Sequence, residues 1–375
     1  MTGKGNFDIA EYIMLMILDT FQNQQGSLAL LVKNSVIKNV VFDQKANEHK
    51  IGNLEKHIIN SKKEFNVAVD AALFFCQLNV SPSFECKEFN FYQSSKPILS
   101  FGWVGEKFVS DIGAYVHSKH IDGMCSFEWR QGLKHDCSTI MELDKVNGHY
   151  VNALNEKTEL ESDLVYGILK SSDLKNTILK ASRKYTIVTQ KKIGQDTSYI
   201  KSQYPKTYQY LFNHQSSFEA RKSSIYKDKP SFSIFGIGDY SFKPFKVVIS
   251  GLYKTFHFTL VLPDNEKPLM LDDTCYMLSF DNPDYAVYTL ILLNSQTTKE
   301  LLKSITFSDA KRTFTKEVLM RIDLYKLSKQ FLDYQLQAEI KNLNEKYSLC
   351  ITIDNWNSFV EQLKPVQTKQ IAMFT

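Results

Sequence analysis

The chain has 375 residues, of which 43% are hydrophobic and 13% aromatic, enough apolar material for the cores of two ordinary domains. Its net charge of +4 says little about partners, and no run of about 18 uncharged apolar residues could cross a membrane. The N-terminal stretch MTGKGNFDIAEYI lacks the basic and then apolar pattern of a signal peptide, so we expect a cytoplasmic protein. The cysteines are scattered without zinc spacing, so we expect reduced thiols and no metal site.

The first 78 residues alternate helix and strand patterns. A helix is predicted from Asn6 to Gln22, ended by Gly26, because apolar residues recur at helical spacing: Ile9, Ile13, Met16, Ile17 and Phe21. GSLALLVKN then predicts a buried strand, and SVIKNVVFDQKANEHK a helix beginning at Ser35. FNVAVDAALFFCQL, from Phe65 to Leu78, predicts one arm of a hairpin. This order is typical of the second half of a doubly wound α/β sheet.

The rest of the chain predicts a linking segment and a second domain. Polar and mixed sequence from Asn79 to about Leu160 predicts a connecting region. From Leu164, strand-like runs (YTIVTQKKI, FSIFGI, KVVISGLY and FHFTLVL) precede helices from Asp284 to about Ile340, which is typical of an α+β domain. We therefore divide the chain into an α/β sheet segment, a connecting region, an α+β domain and a peripheral C-terminal extension, at residues 1–80, 81–160, 161–330 and 331–375.

Basic charge is concentrated in one stretch. Lys180 to Lys254 contains fourteen Lys or Arg against four Asp or Glu, and Tyr199 to Phe258 contains fifteen Tyr or Phe. Lysines that neutralise phosphates, interleaved with rings that stack on bases, are typical of a nucleic-acid surface. A β-domain with a ring-filled core and solvated lysines fits the composition equally well.

Short motifs give no catalytic site of their own. Gly236-x-Gly238 is followed by Lys243, Pro244 and a β-branched run, so we expect a tight turn between strands and no cofactor loop. Asn-Pro-Asp-Tyr at Asn282 is close to an Asn-Pro-Pro-aromatic methylation loop, but Pro283 is better explained as an ordinary helix start. Sequence signatures of hydrolases, metalloproteases and P-loop NTPases do not occur.

Ten blocks of sequence, in order, carry a family resemblance. They include TGKGNFDIAEYI, GSLALLVKNSVIK, FNVAVDAALFF, WRQGLKHDCSTIMEL, IVTQKKIGQDTSYI, RKSSIYKDKPSFSIFGIGDYSFKPFKVVISGLYK and KPLMLDDTCY. From Thr2 to about Leu324 the chain resembles the C-terminal two-thirds of adenine-specific DNA methyltransferases of restriction–modification systems. The resemblance implies an α/β fold, with the later strands of a Rossmann-like methyltransferase sheet followed by an α+β target-recognition domain. It also implies double-stranded DNA as a partner.

The family's S-adenosylmethionine loop and Asn-Pro-Pro-aromatic loop lie upstream of the resembling segment. The resemblance therefore implies S-adenosylmethionine as a cofactor only together with a polypeptide that carries the N-terminal half, and little activity of the chain alone. Ser27 to Val32 is apolar on both faces and is expected to lack its neighbouring strand. The alternative is a non-catalytic DNA-binding remnant or a specificity subunit of a restriction–modification system.

The resemblance also implies roles for individual residues. Asn6, Phe7 and Asp8 fall where the family lines the donor and base pockets. Phe65 falls where related enzymes stack an aromatic on the flipped target base, although a core ring at a strand start fits it as well.

Fourteen residues are expected to contact DNA, through phosphates, base edges or stacking. For the first four, sealing the junction between domains is the alternative. The set is Trp129, Arg130, Lys134, His135, Lys191, Lys192, Arg221, Lys222, Lys227, Tyr240, Ser241, Lys243, Lys246 and Tyr253.

Overall fold

The computed structural model describes residues 9–93, 96–307 and 312–365. The chain divides into two compact units. Unit 1 comprises Met1–Asp122 and Gln296–Thr313, and unit 2 comprises Gly123–Ser295 and Phe314–Thr375. The predicted connecting region, 81–160, is thus divided between the two units, and the predicted C-terminal extension belongs to unit 2.

Unit 1 is a mixed α/β structure. In chain order its elements are α1 (Ile9–Phe21), β1 (Gly26–Lys33), α2 (Asn34–Asn47), β2 (Ile51–Ile59), α3 (Ser61–Phe65), β3 (Ala71–Leu78), β4 (Glu85–Asn90), β5 (Leu99–Val104), β6 (Lys107–Val109) and α4 (Ile112–Ser118), with α11 (Gln296–Ile305) later in the chain. Glu48 and Asn66, both left-handed, end α2 and α3. Asp111 begins α4 by accepting a hydrogen bond from the amide of Ala114 at 2.9 Å.

The six strands of unit 1 form one sheet in the order β1-β3-β2-β4-β5-β6. β3 lies antiparallel between β1 and β2, so β1 and β2 run parallel to each other and are joined by α2. β4 continues the sheet in parallel beside β2, with Leu54 opposite Cys86. The helix, strand, helix order at the start of this unit is the one predicted, whereas β2 and the insertion of β3 between two parallel strands were not predicted.

Helix α2 forms the centre of the unit 1 core. Its residues Val36, Ile37, Val40 and Val41 are at most 1% exposed and belong to the same buried cluster as Phe74 of β3. Burial of each such side chain contributes roughly 1.5–3 kcal/mol. The alternating pattern of β3, with every second residue buried, places Ala72, Phe74, Cys76 and Leu78 on this core.

Helix α1 and strand β1 present apolar surface to solvent. α1 buries Met14, Leu15 and Leu18, while five apolar residues of the same helix are 43–65% exposed: Ile9, Tyr12, Ile13, Met16 and Phe21. β1 pairs with β3 on one side, and no strand of the described residues lies on its other side. Leu31 of β1 is 48% exposed. Among the described residues, β1 is therefore an edge strand.

Two expectations about unit 1 need correction. The segment from Glu85 to Val109 was expected to connect domains, but it forms β4, β5 and β6 of the main sheet. β4 buries only Cys86 and Phe89 fully, which explains its polar composition. Phe65 was placed at the start of a strand, but it is the last residue of the short helix α3, and β3 begins at Ala71.

Unit 2 combines two sheets with helices. Its elements are β7 (Arg130–Gln131), α5 (Ser138–Met141), β8 (Glu142–Val146), β9 (His149–Val151), β10 (Lys157–Thr158), β11 (Val165–Leu169), β12 (Ile178–Leu179), β13 (Lys184–Ile187), α6 (Tyr199–Gln203), α7 (Pro205–Asn213), α8 (Gln215–Glu219), α9 (Asp239–Phe242), β14 (Phe245–Ser250), β15 (Thr259–Val261), β16 (Met270–Leu271), β17 (Cys275–Phe280), α10 (Pro283–Asn294), α12 (Lys316–Leu319), α13 (Leu324–Ser328), α14 (Asp333–Tyr347) and α15 (Trp356–Leu363). The strand orders are β10-β9-β8-β13-β11-β16 and β12-β15-β14-β17-β7.

Strand β14 lies at the centre of the five-stranded sheet. It is antiparallel to β15 on one side and to β17 on the other, and its last five residues are buried. Helix α10 begins at Pro283, where Asn282 accepts a hydrogen bond from the amide of Asp284 at 2.8 Å. This confirms Pro283 as an ordinary helix start.

The C-terminal segment belongs to the core of unit 2. Trp356 and Phe359 of α15 are 7% and 0% exposed, and their rings lie 5.3 and 5.5 Å from that of Tyr288 in α10. The peripheral extension expected from the sequence is therefore, up to residue 365, an integral part of the fold. With the unit 1 sheet and this α+β unit, the predicted fold class is confirmed.

Candidate nucleic-acid interface

Three segments of unit 2 pack backbone against backbone around two glycines. The amide and carbonyl of Lys134 pair with those of Phe235 at 2.8 Å each, and the amide of Leu133 donates to Leu271 at 2.6 Å. A Cβ atom on Gly236, whose φ is +65°, would lie 2.1 Å from the carbonyl oxygen of Gly132. Only glycine fits this approach. Gly236 therefore serves a close backbone contact.

The segment around these glycines differs from the expected pair of strands. FSIFGI forms no strand beyond the isolated bridge between Lys134 and Phe235, and a short helix, α9, follows Gly238. Four residues are too few for a helix dipole that could hold a phosphate. The strand expected after Lys243 is present as β14.

A basic groove of about 380 Å³ lies beside this junction. Its lining includes four cationic side chains and one carboxylate, together with hydroxyls and aromatic rings. The charged residues are Arg221, Lys222, Lys227, Lys229 and Glu219. Within the described part of the chain, no carboxylate lies at ion-pair distance from Lys222, Lys227 or Lys229. Unpaired ammonium groups around a groove are suited to phosphate esters.

Arg221 builds the groove wall. Its Nε donates to the carbonyl of Phe218 at 3.0 Å, and its Nη1 donates to the carbonyls of Ser233 at 2.7 Å and His135 at 3.3 Å. The guanidinium also lies 3.7 Å from the centre of the Tyr226 ring, and burial lowers the pKa of Arg221. Most of its donors are thus already used, which makes Arg221 a support for the neighbouring lysines.

The loop that carries Lys191 and Lys192 is held against the same wall. Before the loop, the Thr189 hydroxyl donates to the carbonyl of Phe232 at 2.7 Å. After it, the Thr197 hydroxyl donates to the carbonyl of Ser231 at 2.5 Å. Both lysines are exposed, and no described carboxylate lies at ion-pair distance from either. The loop therefore adds two charges to the surface around the groove.

Four predicted DNA contacts are buried, which removes them from the candidate set. Trp129 is 0% exposed and packs against Phe258 with ring centres 5.9 Å apart. Ser241 accepts the amide of Gly238 at 3.3 Å, and His135 accepts the amide of Cys137 at 3.1 Å. Lys246 is 0% exposed in β14. They were predicted from their position in the resembling blocks and the basic stretch, but their side chains face the interior.

The remaining predicted contacts are wholly or partly exposed. The Arg130 guanidinium lies 5.3 Å from the centre of the Tyr240 ring and pairs with a neighbouring glutamate. Lys134 pairs with Asp136 at 3.4 Å, and Lys243 pairs with an aspartate at 2.8 Å. These pairs reduce the charge available for phosphates.

Tyr253 lies apart from the basic groove. It is 49% exposed and lines a separate groove of about 540 Å³ that also holds Lys175 and Lys346. Lys175, Lys229 and Lys346 were not among the predicted DNA contacts. Of these three, only Lys229 falls within the basic stretch from Lys180 to Lys254, where the charge excess was a signal for it.

In unit 1, Phe65 is 50% exposed at the end of α3, with Val67 and Val69 also exposed beside it. An exposed aromatic ring is available to stack on a base, so its placement is compatible with the predicted role. Asn6, Phe7 and Asp8 lie outside the described residues.

The described residues contain neither a membrane-spanning helix nor a metal-binding cluster. None of their helices is long and apolar enough to cross a membrane. They contain no group of three or more His, Cys, Asp and Glu side chains that could hold a metal ion.

Unit 1 is thus an α/β unit with a helical crossover, and unit 2 is an α+β unit with a basic groove. The chain is 38% identical over 337 residues to the type II methyltransferase M.NspV of Nostoc sp., a match that covers 88% of this chain and 69% of the relative. The chain therefore belongs to the type II methyltransferase family. No protein-family profile matches it.

Two solved structures are similar to the chain at low sequence identity. One is the type IIL restriction–modification enzyme MmeI in complex with DNA (TM-score 0.49, 10% identity, 95% of this chain and 52% of that one). The other is the type IIG restriction endonuclease BpuSI (TM-score 0.36, 12% identity, 96% and 49%). The chain spans about half the length of both.

Proposed function

We propose that the chain is the later catalytic-sheet and target-recognition portion of a site-specific DNA methyltransferase that modifies the exocyclic amine of adenine in duplex DNA. The observation that carries the proposal is the order β1-β3-β2, with α2 crossing between parallel strands, in a chain of the type II methyltransferase family. The methyl donor is S-adenosylmethionine.

The Gly-x-Gly segment of unit 2 does not fit the donor. This segment is filled by the backbone of Gly132 and precedes a helix of four residues, so it offers no cradle for a nucleoside. We therefore place the donor loop and the Asn-Pro-Pro-aromatic loop on a polypeptide segment that pairs with the free edge of β1.

The open edge of unit 1 supports such a partner segment. Pairing along β1 would satisfy its unpaired backbone groups, and the exposed apolar face of α1 would be covered at the same time. Each 100 Å² of apolar surface buried there contributes about 2–3 kcal/mol. A stable complex is the expected result.

Unit 2 is proposed to bind the duplex through its basic groove. The proposed phosphate contacts are the unpaired lysines of the groove and its neighbouring loop, supported by the partly paired residues around them. They are Lys191, Lys192, Lys222, Lys227 and Lys229, then Arg130, Lys134 and Lys243, with Tyr240 and Tyr253 as the proposed stacking partners for bases.

In unit 1, the Phe65 ring is proposed to stack on the flipped adenine. Asn6, Phe7 and Asp8 are proposed to line the donor and base pockets.

Reconstitution tests the proposal. The chain is purified alone and with a co-expressed polypeptide that carries the donor loop, and each preparation is incubated with tritium-labelled S-adenosylmethionine. The substrate is long unmethylated phage DNA, which contains many short recognition sequences. We expect labelled N6-methyladenine only with the complex. Both preparations are expected to bind DNA, with an affinity that falls as the salt concentration rises.

Two results would contradict the proposal in different ways. Strong methylation by the chain alone would remove the need for a partner. DNA binding without methylation by any combination would favour the alternative, a DNA-binding remnant or a specificity subunit, for which the basic groove of unit 2 suffices.

A further inference from the structure

Helix α3 presents Phe65, but it is too short to be stable on its own. It has five residues, and isolated helices shorter than about 12 residues are marginal in water. Its local stabilisation comes from its two ends. Asn60 accepts the amide of Lys63 at 3.0 Å at the start, and the left-handed Asn66 closes the end.

Tyr92, which follows strand β4, contacts this helix through both its hydroxyl and its ring. Its hydroxyl accepts a hydrogen bond from the amide of Asn60 at 3.1 Å and donates one to the carboxylate of Glu64 at 2.8 Å. The Lys63 ammonium lies 4.7 Å from the centre of the Tyr92 ring. One side chain therefore contacts the first and the last turn of α3.

Tyr92 is itself fixed to the sheet. Its amide donates to the side-chain oxygen of Asn90 at 3.0 Å, and the amide of the adjacent Phe91 donates to the carbonyl of Ile58 at 3.2 Å. We call the contacts of Tyr92 with α3 the clamp. The clamp connects α3, which follows β2, to the end of the parallel strand β4. This connection bridges 28 residues between Glu64 and Tyr92.

We propose that Tyr92 is a positioning residue for base stacking: its hydroxyl fixes α3 so that the ring of Phe65 meets the flipped adenine in one orientation. This inference rests on the proposed function, because it gives Phe65 the stacking role. A ring on an unclamped five-residue helix would sample several orientations, and misplacement by about 1 Å can reduce a rate about 100-fold.

The first test measures the clamp without any activity. Tyr92→Phe removes only the hydroxyl and keeps the ring. Hydrogen–deuterium exchange of the peptide containing residues 60–66 is expected to become at least about fivefold faster in this variant. Tyr334→Phe is the matched control, because Tyr334 is 66% exposed and no hydrogen bond of its hydroxyl occurs among the described residues. Unchanged exchange in Tyr92→Phe would overturn the clamp.

The second test measures methyl transfer by the full chain together with the polypeptide that completes its activity. Tyr92→Phe is expected to lower kcat about 5- to 20-fold and to change the KM for DNA less than about twofold. Phe65→Ala is expected to lower kcat further, and the double variant to be no slower than Phe65→Ala, because both changes act through one ring.

The possible failures are distinguishable. Full activity of Phe65→Ala would refute the stacking role in the proposed function and, with it, the purpose of the clamp. A large loss in Phe65→Ala without a loss in Tyr92→Phe, or additive losses in the double variant, would overturn the positioning role of Tyr92 and leave the role of Phe65 intact.

Discussion

Replacement of Lys246 by methionine is expected to stabilise unit 2. Lys246 is 0% exposed at the centre of the five-stranded sheet, and its Nζ donates to the carbonyl of Lys243 at 2.6 Å. No carboxylate of the described residues lies at ion-pair distance from it. Burial therefore lowers the pKa of Lys246 from its ordinary 10.5 to about 7.

The size of the effect follows from this pKa. In the unfolded chain the lysine is fully protonated at pH 7, whereas in the fold it is half deprotonated, a difference that costs roughly 4 kcal/mol of stability. Lys246→Met removes this cost but leaves the Lys243 carbonyl without its donor, a loss of about 1–3 kcal/mol. A net gain of about 1–3 kcal/mol at pH 7 is expected.

The pH dependence gives a sharper prediction. Because the folded pKa lies below the unfolded one, the cost is fully present below pH 7 and disappears as the pH rises towards 10.5. Between pH 7 and 8.5, the advantage of Lys246→Met over the unsubstituted chain should shrink by about 1–2 kcal/mol. Other groups that titrate in this range cancel in the comparison.

Guanidinium unfolding followed by tryptophan fluorescence measures the free energy of unfolding of unit 2 at each pH, since Trp129 and Trp356 both lie in unit 2. Lys243→Met is the control: Lys243 is partly exposed, and its ion pair with Asp281 contributes little. If Lys246→Met were less stable than the unsubstituted chain, or if its advantage did not change with pH, the lysine would be charged and compensated in the fold, and the reasoning would be refuted.

Three further predictions concern DNA binding, the glycine junction and the open edge. Replacing three groove lysines by alanine should make the plot of log affinity for duplex DNA against log salt less steep, by about 2–3 in the magnitude of its slope. Lys246→Met should not change this slope, and an unchanged slope in the triple variant would place the DNA elsewhere. The three are Lys222, Lys227 and Lys229. Gly236→Ala should unfold unit 2 at moderate temperature in a melting experiment, whereas Gly113→Ala, with its nearest neighbour at 3.5 Å, should be tolerated; equal melting would contradict the backbone contact. Ile13→Asp should leave the stability of the chain unchanged, since Ile13 is 43% exposed, but should weaken co-purification with the donor-loop polypeptide, and full co-purification would exclude the α1 face as the contact.

Local patterns were sufficient to predict the first elements of unit 1. The apolar spacing before Gly26, the β-branched and aromatic run that contains β3, and the helix between them are features of adjacent residues. β4 was missed because it pairs in parallel with β2, about 30 residues earlier, and a half-buried strand of composition ECKEFN carries a weak apolar signal. Non-local pairing is not encoded in any short window of sequence.

The basic groove of unit 2 lies within the stretch predicted from charge, whereas four of the individual predicted contacts are buried. Charge excess located the basic stretch, and the groove with its three unpaired lysines lies within it. Trp129, His135 and Ser241 were predicted from their position in the resembling blocks, which carries no information about the direction of a side chain. Arg221 lies in the expected place, but its hydrogen bonds to three carbonyls show a structural use of the guanidinium that spacing could not indicate.

Lys246 shows how a strand pattern could have corrected one of these choices. In FKVVIS, Lys246 shares a strand face with Val248 and Ser250, while Val247 and Ile249 occupy the other face. A strand with apolar residues on both faces is typical of a central position, where neither face meets solvent. A lysine in such a strand cannot reach a phosphate, so its charge has to be excluded from the basic surface. The five lysines proposed to contact phosphates lie instead in loops and at helix ends, between Lys191 and Lys229.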